Sequence, residues 1–193
     1  VIGDPTEGAL VVAAAKTGLR KTELERESPR LAEIPFDSAR KMMTTFYKIN
    51  DKIYSFTKGA PDLLVARCSS ILKGTGSEPL TEDNRKQLLE VNSQWASQGE
   101  RVLGLAIREW EEVPDKPKPD QVETDMTFVG YFSMIDPARP EVKDAVDVGK
   151  GAGIRTIMIT GDHRDTAVAI ARELGIWQEG DNALSGEQLQ KMD

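Results

Sequence analysis

A chain of 193 residues with a formal net charge of -7 and 39% hydrophobic residues can bury one sizeable core or two small ones, and two domains are expected. The acidic balance and the lack of any lysine-rich tract argue against a nucleic-acid surface; the single cysteine, Cys68, excludes an intrachain disulfide and a structural zinc cage and fits a reducing, cytosolic setting. The longest apolar run, Ala9 to Ala15, falls far short of the ~20 residues a membrane-spanning helix needs, and no secretory signal opens the chain.

In chain order, Asp4-Pro5-Thr6-Glu7 predicts a helix start, with Asp4 as N-cap, Pro5 at the first helical position and Glu7 three beyond the cap, and the helix continues to Lys16. Residues 31–36 read as a strand. Residues 42–50 and 52–58 alternate as a hairpin turning at Asn50-Asp51, which puts Phe56 and Lys58 on one face. Helices are predicted over 61–72 and 81–97, a strand over 101–110, and a proline-rich, charged loop over 111–125. From 127 the order becomes strand (127–134), helix (139–150), strand (154–159), helix (163–175), a parallel α/β pattern after an antiparallel sheet with helices. Thr156, Ile157 and Ile159 suit a buried parallel strand running into Thr160-Gly161-Asp162. There Gly161 lets backbone N–H groups approach an anion, and the helix after it points its positive end at the turn.

Six motifs in order then align the chain with a known family. These are Gly3-Asp4-Pro5-Thr6-Glu7-Gly8-Ala9-Leu10, Pro35-Phe36-Asp37-Ser38 with Arg40-Lys41, Lys58-Gly59-Ala60-Pro61, Gly99-Glu100-Arg101-Val102-Leu103, Asp136-Pro137-Ala138-Arg139-Pro140 and Met158-Ile159-Thr160-Gly161-Asp162. In them the chain resembles the cytoplasmic part of P-type cation-transporting ATPases, nearest the calcium-pump branch. The resemblance implies an α/β chain in two parts: an α+β nucleotide-binding domain over residues 1–126, and over 127–193 part of a phosphorylation domain of haloacid-dehalogenase-like fold.

Read without the family, Glu7 is a capping-box carboxylate, Phe36 a core ring, and Lys58 and Arg101 solvated strand ends. The resemblance implies that Glu7 bonds the adenine amino group and that Phe36 stacks on the base. Lys58, beside Gly59, would meet phosphate or the base edge, and Arg101 would contact ribose and phosphate. Thr160 and Gly161 would hold the transferring phosphoryl group, with Asp162 near the nucleotide or its Mg2+; the alternative for these three is a plain strand-to-helix turn with Asp162 as cap. The chain departs from the pattern at Ser38, where some calcium pumps carry a phosphate-clamping arginine. Arg40 and Lys41 can compensate only if the loop bends suitably. Ala138 replaces the second proline of the hinge motif, and Arg139 reads equally as a nucleotide contact or a hinge ion pair. His163, the sole histidine, is given no role.

The phosphorylated aspartate of an Asp-Lys-Thr-Gly-Thr motif does not occur here, since Asp-Lys appears only at Asp51-Lys52 and Asp115-Lys116. No catalytic residue and no metal ligand is therefore assigned. Because it starts at Val1 without a methionine, the chain is expected to be a soluble piece from the cytoplasmic face of a longer membrane pump. The expected function is binding of ATP or ADP for a parent that couples ATP hydrolysis, with Mg2+ and an aspartyl phosphate outside this chain, to cation transport. Calcium is inferred from the resemblance alone; manganese, sodium and magnesium stay open. Its partners are the nucleotide and the remaining membrane and actuator domains of the same pump. An incomplete sheet would expose an edge, so association between copies is expected. The alternatives are a soluble dehalogenase-like phosphatase with a cap domain, and an interaction module that binds no nucleotide.

Overall fold

A computed structural model describes residues 4–135, 138–160 and 164–189. The elements are, in order, α1 (Pro5–Lys16), α2 (Lys21–Glu27), β1 (Arg30–Asp37), β2 (Met42–Ile49), β3 (Lys52–Gly59), α3 (Pro61–Ala66), β4 (Cys68–Lys73) and β5 (Gly76–Pro79). They continue with α4 (Glu82–Ser97), β6 (Arg101–Trp110), α5 (Pro119–Val122), β7 (Met126–Met134), α6 (Pro140–Gly151), α7 (Arg164–Glu173) and α8 (Gly186–Leu189). They fall into two units, one of residues 1–92 with 102–134, the other of residues 93–101 with 135–193.

The first unit is built on a seven-stranded mixed sheet ordered β1-β2-β3-β6-β7-β4-β5. Asn50 and Asp51 take φ of +48° and +63°, the left-handed pair of a two-residue hairpin, and β2 and β3 pair without a break from Met42↔Gly59 to Ile49↔Lys52. Period two then decides burial: Met42, Thr44 and Phe46 are buried while Met43, Thr45 and Tyr47 between them are not. One core cluster joins Met42, Leu64, Val65, Cys68, Leu80, Ala106, Met126 and Phe128, and a smaller one joins Ile34, Phe46 and Val122 under Trp110. The Trp110 indole N–H donates to Ser55 Oγ at 2.9 Å, so its polar edge is satisfied where the ring packs on Phe46.

Three expectations are corrected. The helix predicted over 61–72 stops at Ala66, and Cys68–Lys73 is a strand between β5 and β7. Ser70 and Ile71 each pair on both sides, to Pro79 and Glu78 and to Thr127 and Phe128, and this pairing outweighs local helical pattern. The strand over 127–134, expected to open a second, parallel domain, instead joins the first unit's sheet as β7, parallel to β4, so the chain parts after Met134 rather than at 126. The parallel strand predicted over 154–159 does not form: residues 154–160 are irregular, with Ile157 75% and Ile159 93% exposed. β-Branched residues favour a strand only against neighbours, and no described strand pairs with this segment.

In the second unit, Pro140 opens α6 at its first helical position, and Val146 is its buried residue. Ala171 and Leu174, at the end of α7 and just after it, are buried as well. Gly99, at φ +84°, lies against Ala169 and Ile170, where a Cβ would sit 3.6 Å from the Ala169 methyl.

Candidate functional site

The site grows from an irregularity in β1. Ile34 pairs with Thr44 and Asp37 with Met42, so Pro35 and Phe36 together oppose the single residue Met43. That is a β-bulge, and proline is tolerated in it because β1 is an edge strand with no ladder hydrogen bond to give on that side. The extra residue changes the phase of the strand. Ile34 is buried, whereas Phe36, two residues on, is 62% exposed.

Met43 pairs with Lys58 and Lys58 pairs with Leu105. Phe36, Met43, Lys58 and Leu105 therefore form one row across four adjacent strands, on the sheet face opposite buried Thr44 and Thr57. At about 4.8 Å per strand the row runs roughly 14 Å. It offers an exposed ring, a polarizable thioether, an ammonium and an aliphatic side chain. Sequence reasoning found Phe36 and Lys58 and missed Met43 and Leu105. The signal that could have found them is the hairpin register itself, which follows from Asn50-Asp51.

Helix α1 supplies the anionic partner. Asp4 Oδ1 accepts from the N–H groups of Thr6 and Glu7 at 2.9 and 3.1 Å, which fixes the first turn. The Glu7 carboxylate is thereby presented to β3, where Lys58 Nζ donates to Oε1 at 2.5 Å and also to Oε2. The predicted capping residue thus holds the lysine of the row. The pair is partly solvated, at 22% and 54% side-chain exposure, and belongs to the class worth about 0–1 kcal/mol. A ligand that competes for either partner meets little resistance.

Gly59 follows Lys58 at the strand end. A Cβ there would come within 2.5 Å of the Lys41 carbonyl and 3.0 Å of Met42 Cα, so only glycine lets the two backbones meet. Ala60 N–H then donates to the Lys41 carbonyl at 3.0 Å and ties the turn after Phe36 to the end of β3. Lys41, at φ +51°, is exposed on this turn.

Arg40 does not compensate for Ser38, because its guanidinium is turned inward. Nη1 donates to Glu123 Oε1 at 2.5 Å and to the Met42 carbonyl at 2.7 Å, and Nη2 donates to the Pro35 carbonyl. Glu123 has a wholly buried side chain; its Oε1 also accepts from Thr44 Oγ1 at 3.0 Å, and Thr44 and Thr57 share a hydroxyl contact of 2.8 Å. The charged loop expected over 111–125 is therefore pinned at its end, with Arg67 donating to the Glu123 carbonyl at 3.3 Å and Arg108 to the Thr124 carbonyl at 2.8 Å.

Arg101 is an exposed residue at the head of β6 and groups with the second unit, as does exposed Thr160, while Gly161 and Asp162 lie outside the described residues. Cys68 is buried, and burial pushes its thiol up to about 12 despite nearby Arg85, so it stays protonated at neutral pH. Among the described residues no group of three or more His, Cys, Asp or Glu could hold a metal, and no helix is long and apolar enough to cross a membrane.

The sequence profile described as P-type ATPase, cytoplasmic domain N, matches residues 1–141. The chain is 45% identical to the calcium-transporting ATPase 1 of Bacillus cereus over 97% of its own length and 21% of the relative's. It is 41% identical to the cation-transporting ATPase pma1 of Synechocystis, over 100% of this chain and 21% of that protein. Against the sodium/potassium-transporting ATPase subunit alpha of Tetronarce californica the identity is 37%, covering 95% of the chain and 19% of the subunit. The chain thus spans about a fifth of the length of the curated relatives it matches.

Proposed function

Because the chain belongs to the P-type ATPase family, we propose that its first unit binds ATP along the Phe36–Met43–Lys58–Leu105 row and serves a cation pump as its nucleotide-binding domain. The observation that carries this reading is the large exposed ring of Phe36, set by a bulge on the same face as Lys58. An exposed ring and an ammonium on one sheet face can take a base and a phosphate together. A purine stacks on that ring and on Met43, a contact worth roughly 1 to 3 kcal/mol per base. Glu7 accepts from the adenine amino group once Lys58 swings from the carboxylate to the base edge or phosphate. Lys41, exposed on the adjoining turn, is the cation left for the phosphates, with Arg40 occupied elsewhere.

The second unit, from Ile135 onward, is part of the phosphorylation domain of the same pump, with a dehalogenase-like fold. Thr160 and Gly161 hold the transferring phosphoryl group in that domain, Asp162 lies close to the nucleotide or its Mg2+, and Arg101 meets ribose and phosphate. The parent joins ATP hydrolysis, through an aspartyl phosphate, to movement of a cation. Calcium is the cation named for two Bacillus relatives, with calcium the proposal here. Mg2+ comes with the nucleotide in the parent enzyme, and no residue of this chain is assigned as its ligand. The chain contains no Asp-Lys-Thr-Gly-Thr, and alone it binds nucleotide without turnover.

Titration of the chain with ATP, followed by amide and methyl chemical shifts, tests the reading. Shifts at Phe36, Met43, Lys58 and Glu7 are expected, with a dissociation constant on the order of 0.1 to 10 mM, or about 3 to 5 kcal/mol. Silence at these residues at several millimolar ATP overturns it.

A further inference from the structure

Behind the row, on the opposite face of the sheet, lies an ion pair whose burial calls for an explanation. Arg40 has 14% of its side chain exposed and Glu123 none. The second carboxylate oxygen of Glu123 has no hydrogen-bond partner, and Arg67 Nη1 lies 4.0 Å from it. Burying two charges with one oxygen unsatisfied contributes little to stability, because desolvation offsets the Coulomb gain, and well-packed apolar residues would serve a core as well or better. What the pair does supply is geometry. One guanidinium bonds the Pro35 carbonyl within the bulge and the Met42 carbonyl just before the residue the bulge opposes. The same Glu123 oxygen that receives Arg40 is fixed from the sheet by Thr44.

We propose that Arg40 and Glu123 form a positioning clasp that holds the Pro35-Phe36 bulge from behind and thereby aims the Phe36 ring at the nucleotide. The proposal rests on the ATP-binding reading above. It makes both side chains positioning residues, since neither faces the row, and it joins the segment around α5 to nucleotide binding. A planar, forked donor is required. Lysine offers a point charge that can pair with Glu123 but cannot bond both flanking carbonyls in the same geometry.

The test measures melting temperature and ATP affinity, well below the melting point, for the 193-residue chain and three variants: Phe36→Ala, Arg40→Lys, and the double change Arg40→Met with Glu123→Gln. The double change removes both buried charges, so its melting temperature is expected to stay near that of the parent, while ATP binding weakens about 10-fold because the bulge loses its two carbonyl anchors. Arg40→Lys is expected to weaken binding similarly with a smaller thermal change than affinity change, and it serves if the double variant does not fold. Unchanged affinity in both clasp variants, or losses that simply follow melting temperature, overturns the clasp. If ATP binds and Phe36→Ala abolishes binding while the clasp variants bind normally, only the clasp falls. If the unmodified chain ignores ATP, the binding reading falls and the clasp with it.

Discussion

Replacing Phe36 by alanine separates stability from binding more cleanly than any other change in this domain. Phe36 is 62% exposed, so about two-fifths of its surface is withdrawn from solvent. Full burial of a phenylalanine side chain is worth about 1.5–3 kcal/mol, which leaves at most ~1 kcal/mol to lose here. Phe46 is the internal control. It is 0% exposed, packed on Trp110 with ring centroids 5.8 Å apart, and truncating such a ring costs about 3–5 kcal/mol. Thermal or urea unfolding should therefore show Phe36→Ala close to the parent and Phe46→Ala severely destabilised. ATP titration should show the reverse for the folded Phe36→Ala chain. Loss of a stacking partner worth roughly 1–3 kcal/mol weakens binding about 5- to 150-fold, which carries a millimolar affinity beyond measurable range. Two results refute the reasoning: Phe36→Ala as destabilising as Phe46→Ala, which makes the ring a core residue, or ATP affinity unchanged within twofold.

Gly59→Ala forces a Cβ into the Lys41 carbonyl and Met42 Cα, both backbone, so the strand end and the turn must separate; a loss of about 1–3 kcal/mol in urea unfolding is expected, together with weaker ATP binding. Lys58→Met keeps the stem but drops the charge, and since the Glu7 pair is partly solvated, unfolding should change by less than about 1 kcal/mol while ATP binding is largely lost in titration calorimetry. Cys68, with its folded value raised from 9.0 to about 12 chiefly by burial, holds its proton in the fold where the unfolded chain has lost it. Its contribution is intact below pH 9 and falls by about 1.4 kcal/mol per pH unit between 9 and 12. Tyr131, raised from 10.0 to about 12 first by burial and then by Cys68 and Asp62, acts in the same direction. Stability should thus decline above pH 9, less steeply in Cys68→Ala, and native Cys68 should resist iodoacetamide at pH 8.

Much of this was legible in the residues, for identifiable reasons. Asp4-Pro5 carries its own helix start, and Asn50-Asp51 its own left-handed turn, so α1 and the β2–β3 hairpin are local statements. The strand at 68–73 was hidden because it is settled in part by β7, a strand distant in sequence, and only in part by its neighbour β5. The segment at 154–160 failed in the opposite sense, with strand-like residues and no described neighbour to pair with. In the site, Phe36, Lys58 and Gly59 were visible through short motifs. Met43 and Leu105 depend on cross-strand register, and Glu123 lies 83 residues from Arg40, a separation no local pattern bridges.

The bulge explains why Phe36 reads as a core residue in one dimension and stands outside the core in three. Ala32, Ile34 and Phe36 recur at period two, and a regular strand would bury all three on the face of Thr44 and Met42. In an unbroken ladder continuing from Ile34↔Thr44, Phe36 would fall opposite Met42 and enter the space where Arg40 meets Glu123. Setting Pro35 and Phe36 against Met43 shifts the phase by one residue, so Asp37 takes the place opposite Met42. Asp37 then caps the turn, its Oδ1 accepting from the N–H groups of Ala39 and Arg40 at 3.0 and 3.1 Å. One inserted residue thus exposes the ring, starts the turn and delivers Arg40 to the rear of the sheet. The chain forgoes roughly 1–2 kcal/mol of apolar burial at Phe36 by this arrangement. The bulge is what the proposed stacking requires, since it sets the ring on the open face that carries Lys58.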